Sequence, residues 1–111
     1  MDKFSDYMVQ HILYVSGVEK SLRNNQAFAH KQPTECAFGK MFYGTLKPSL
    51  DHYSARKRHL IEELEQVHIQ FHESAQNIHP NNPDTGQHRR DAWYHSSRLI
   101  NLLTKLEKIR D

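Results

Sequence analysis

The 111-residue sequence has one cysteine, four glycines and four prolines. One thiol cannot close an internal disulfide, so no covalent staple holds the fold and a cytoplasmic setting is expected. No apolar run approaches the ~20 residues of a membrane span, and the first residues lack the apolar stretch of a secretory signal. Charge of either sign is not in excess. Fifteen Lys and Arg against thirteen Asp and Glu leave a net charge of +2, whereas a nucleic-acid partner calls for a concentrated basic face. There is no low-complexity tract or internal repeat. The length leads us to expect a single domain over residues 1–111 and leaves no room within them for a multidomain enzyme, with about two-thirds of the unfolded surface available for burial. Histidine is what the chain has in abundance, at nine positions.

Apolar spacing predicts helices. Phe4, Met8, His11, Val15, Val18 and Leu22 form one seam over about residues 3–23, with a histidine inside it. Asn24, Asn25 and the run to Pro33 read as a connection, with a short helical turn around Ala27–Ala29. Thr34 reads as the cap of a short second helix running to about Leu46, with Cys36 in its first turn. Pro48 should break it, and a long third helix begins near Leu50. Its stripe is Tyr53, Lys57, Leu60, Leu64, Val67, Phe71, Ala75 and Ile78, with Ile61, His68 and His72 alongside. His79, Pro80, Asn81, Asn82 and Pro83 make a loop. Asp84 or Thr85 caps a fourth helix with the stripe His88, Ala92, His95, Leu99, Leu102, Leu106 and Ile109. No segment alternates with period two. The expectation is an all-α, antiparallel four-helix bundle with a short second helix.

Two histidines four apart share a helix face and can share one ion, and His68 and His72 are the one such pair. Chance supplies such a pair readily, so it specifies little alone. His11 sits where an aliphatic residue would pack better; it is a ligand or a core histidine satisfied by a carbonyl or a tyrosine hydroxyl. Cys36 stands at a helix start, where free N–H groups favour thiolate; otherwise it is a small buried apolar residue. Gly39 costs about 1 kcal/mol against Ala inside a helix, which suggests close approach by a neighbouring side chain.

These residues fall in a recognisable order. His11 with Tyr14, then Cys36, Phe38, Gly39 and Met41, then His68 and His72, match H-x-x-aromatic, C-x-hydrophobic-G-x-hydrophobic and H-x-x-x-H. The pattern resembles the chemoreceptor zinc-binding (CZB) domain family. Met41 departs from it, since the family more often has Trp or another large apolar residue there; no ligand is lost. The resemblance implies a zinc ion held by His11, Cys36, His68 and His72 in a four-helix bundle, commonly a homodimer. It also implies control of a signalling output, such as a chemoreceptor or a diguanylate cyclase, in response to zinc or to oxidants such as hypochlorous acid. No output region is present in these residues, so the chain is expected to be a free-standing sensor or a piece of a larger protein.

Four protein ligands would close a zinc shell and leave no place for an activated water. Ile69 stands where a metalloprotease helix carries its general-base Glu. A switch is therefore expected rather than an enzyme. A haemerythrin-like di-iron bundle would need bridging carboxylates and more histidine pairs than the sequence offers. A phosphotransfer bundle would need an exposed histidine followed closely by Lys-Gly. A metal-free helical interaction module stays open. His30, His52, His59 and His79 are expected to be solvated, as is the basic run from Arg56 to His59; His88 and His95 are expected in the fourth seam, and Trp93 and Tyr94 in the packing.

Overall fold

The computed structural model describes residues 3–109. Helix α1 spans Phe4–Arg23 and ends at Asn24, after which Asn25 takes a left-handed conformation (φ 53°) that asparagine tolerates better than most residues. Residues 26–32 then run without regular structure, so the helical turn expected around Ala27–Ala29 is absent. Helix α2 is only Ala37–Met41, and its cap is Cys36 rather than Thr34. The chain then widens into a π-helical turn over Phe42–Leu46 and tightens into a 3₁₀ turn over Lys47–His52. Pro48, in the first turn of that 3₁₀ segment, lacks the N–H that a continuing α-helix requires. The third helix, α3, accordingly starts at Ala55 and not near Leu50. Ser54 caps it by accepting from the Lys57 N–H, and it runs to Ala75. Helix α4 spans Thr85–Lys108, with Asp84 at its N-cap position but making no side-chain capping bond.

The fold is all-α with four helices, and no strand occurs among the described residues. Helices α3 and α4 pack along each other, α1 lies on α4, and α2 leans on α1. Two apolar clusters result. The larger gathers Phe4, Tyr7, Phe38, Phe42, Leu46 and Ile61 with the later leucines of α4; the smaller holds Val18, Phe71, Ala75, Ile78 and Ala92. Helix α4 also buries Ser96 and Leu103, which the predicted stripe omitted, while His88 and His95 are only half-buried. Lys57 is nearly buried and lies over the rings of Phe4 and Tyr53 at 5.6 and 5.5 Å, so the basic run is not wholly solvated. Trp93 packs on the smaller cluster, whereas Tyr94 is 62% exposed and does not pack the bundle.

Candidate metal centre

One helical turn separates His68 from His72, and both rings are buried with their Nε2 atoms 3.1 Å apart. Cys36 Sγ lies 3.4 Å from His68 Nε2. The donor atoms of Cys36, His68 and His72 all fall within 4.8 Å of one another. Ligands in a tetrahedral zinc shell, at ~2.3 Å for sulfur and ~2.0 Å for nitrogen, stand about 3.3–3.6 Å apart. The three side chains thus fit a zinc ion in both donor chemistry and spacing. Neighbouring rings hold them in place. Phe38 stacks on His68 with centroids 4.2 Å apart, and Tyr14 meets His72 edge-on at 5.1 Å.

Cys36 reaches this point because it caps α2. Its sulfur accepts the Gly39 N–H at 3.3 Å, a bond that strengthens when the sulfur is a thiolate. Gly39 is required by close approach, but the neighbour is backbone rather than side chain. A Cβ at position 39 would overlap the Pro33 carbonyl oxygen. Helix-start geometry does not make Cys36 a thiolate by itself. Burial raises the thiol above its usual range, and the N–H groups of Gly39 and Phe38 offset this only partly. Any metal taken up at neutral pH must therefore displace a proton from sulfur.

Burial has the opposite consequence for the histidines. It lowers His68 to about 3 and His72 to about 4, with neighbouring histidines adding to the effect and a hydrogen bond to the Lys31 backbone opposing it at His72. His11 is lowered to about 4 by burial and by His72. All three rings are neutral at pH 7 and keep a lone pair for a metal.

His11 is 2% exposed and lines the same cavity of about 260 Å³ as Cys36, His68 and His72. Its Nε2 lies 2.7 Å from Ser96 Oγ on α4. The trio of converging donors does not include it. Ser96 escaped the sequence reading, although a histidine inside an apolar seam calls for a polar partner on a facing helix. His30 is also not solvated. It is half-buried, with Nε2 3.0 Å from the Ile78 carbonyl oxygen and its ring against Phe28. Tyr14 lies beside His30, its hydroxyl 3.5 Å from His30 Nδ1 and accepting the Lys31 N–H at 3.0 Å. His52, His59 and His79 are exposed as expected.

Residues 11–79 match the family model of the chemoreceptor zinc-binding domain (CZB). The match begins on His11 and takes in Cys36, His68 and His72, and the chain belongs to this family. No curated protein and no solved structure matches it. No helix among the described residues is long and apolar enough to cross a membrane.

Proposed function

We propose that the chain is a cytoplasmic regulatory domain that binds one zinc ion through His11, Cys36, His68 and His72. In this reading it switches a signalling output of the chemoreceptor or diguanylate cyclase type. The convergence of the Cys36 sulfur with the Nε2 atoms of His68 and His72, all three side chains being buried, carries the reading. Bound zinc would act as a structural cross-link, because the four residues come from α1, the α2 cap and α3. Binding and regulation, not catalysis, follow from a shell filled by protein. A homodimer is the proposed assembly, supported by Val9, Ile12 and Leu13, which leave an apolar strip of α1 exposed. Neither nucleic acid nor membrane is a proposed partner.

Cys36 is the proposed labile ligand, since sulfur is oxidised where imidazole resists. Hypochlorous acid would convert the thiolate to a sulfenic acid and release chloride, leaving a poorer ligand. Native mass spectrometry with and without a chelator should find one zinc per chain. Titration with hypochlorous acid should release that zinc, and Cys36→Ala should weaken binding at least about 100-fold. A Cys36→Ala protein that binds tightly and releases zinc at the wild-type dose would sink the switch.

A further inference from the structure

The ring of His11 is held from two directions by groups that belong to neither Cys36 nor the His68–His72 pair. Phe71 packs against it with centroids 4.6 Å apart and planes at 72°. Ser96 closes on Nε2 at 2.7 Å, and both residues are buried, at 2% and 8% exposure. Ser96 lies on α4, beyond the segment that the family model matches. We propose that Ser96 is the positioning residue that makes His11 a metal ligand, by accepting the Nε2 proton and so leaving the lone pair on Nδ1. The proposal rests on the reading that His11 ligates zinc.

A neutral imidazole has one N–H and one lone pair. Two polarities of the His11–Ser96 bond therefore have opposite consequences. With Nε2–H donating to Ser96 Oγ, Nδ1 is a free donor. With the serine hydroxyl donating to Nε2, the ring proton sits on Nδ1 and neither nitrogen is available. Histidine ligands nearly always give their second N–H to an oxygen acceptor, which fixes both tautomer and ring orientation. Ser96 is the oxygen in place to do this for His11, as the Lys31 backbone is for His72. The bond also spans 85 residues of sequence, so α4 is drawn into the site although it supplies no ligand.

The test compares the wild-type protein with Ser96→Ala and His11→Ala, using zinc affinity measured by competition with a chelating dye. Long-range ¹⁵N spectra of the zinc-free proteins read the His11 tautomer directly. Ser96→Ala is expected to weaken zinc binding about 10- to 100-fold. The zinc-free wild type should show His11 protonated on Nε2, and Ser96→Ala should show mixed tautomers; loss of packing alone would not move that signature. Wild-type affinity in Ser96→Ala alongside a large loss in His11→Ala would overturn the role of Ser96, as would a His11 proton on Nδ1 in the zinc-free wild type. Unchanged affinity in His11→Ala would instead overturn the ligand reading itself.

Discussion

The two sides of the candidate metal centre are built by opposite means. On one side, His68 and His72 stand on α3, 21 residues long, which packs along the 24 residues of α4. Each ring is placed by continuous helix and by the apolar residues Leu64, Val67, Phe71 and Ala75 on the same helix, all essentially buried. On the other side, Cys36 sits between an irregular run and a five-residue helix that passes into π and 3₁₀ turns. A helix of that length does not support itself in water. Its anchors are Phe38, Phe42 and Leu46, set in the larger apolar cluster. A metal shared by the two sides would therefore tie the least self-supporting segment to the firmest one, and the loose side is the one whose order should follow occupancy.

Acid should break the comparison from the firm side. The loose side carries the half-buried His30 and the exposed His52, while the three most strongly shifted histidines are His68 and His72 on α3 and His11 on α1. All three have folded-state values pushed down to about 3 or 4, so the unfolded chain, near 6.5, takes up protons first. Their stabilisation is present above pH 6.5 and is lost as pH falls from there toward those lower values. Each site accounts for up to about 1.4 kcal/mol per pH unit in that window. Denaturant unfolding of the zinc-free protein should show the midpoint dropping steeply between pH 6.5 and 5 and staying flat from 7 to 8. A flat profile through pH 5 would mean that the rings are solvated.

Chelation should sharpen the comparison from the loose side. Amide hydrogen exchange is expected to speed up about 100-fold across residues 33–46 when zinc is removed, an opening free-energy change of about 2.7 kcal/mol. The middle of α4 should change by less than about threefold. Equal acceleration in both would show that the ion stabilises the bundle as a whole and that Cys36 is no more labile than the histidines.

Much of this arrangement is legible in the sequence, and the boundary of legibility is physical. Seams with helical period locate α1, α3 and α4, because burial of one face is what makes those helices stable. Spacing also pairs His68 with His72, since residues one turn apart must share a face. The segment from Asn24 to Ser54 resists that reading. Its shape is decided by tertiary contacts: Cys36 displaces Thr34 as the cap because its sulfur is drawn into the site, and Pro48 lets 3₁₀ geometry persist to His52 before Ser54 starts α3. Ser96 and His30 escape it for a related reason. Each is a polar residue whose partner lies far along the chain, His11 at 85 residues and Ile78 at 48, and no local period reports such a bond.

Gly39 offers the smallest test of the loose side and the most local one. The backbone of Pro33 folds back onto this glycine so closely that a methyl group would overlap the Pro33 carbonyl oxygen. That carbonyl cannot swing aside as a side chain would, because the same turn holds Cys36 through the Cys36 N–H to Gln32 O bond at 3.3 Å. In an ordinary helix interior Gly→Ala would stabilise by up to about 1 kcal/mol. Here overpacking outweighs the propensity gain, and Gly39→Ala should cost about 1–3 kcal/mol in the zinc-free protein. Zinc binding should weaken as well, since the turn must shift and Cys36 Sγ would lose its 3.3 Å bond from the Gly39 N–H. Gly44 is the internal control, because it lies in a helical turn where a Cβ would meet nothing within 4 Å. Gly44→Ala should therefore stabilise by up to about 1 kcal/mol and leave zinc binding nearly unchanged. If the two alanine variants melt alike and bind zinc alike, the turn from Pro33 to Gly39 is not what fixes the position of the sulfur.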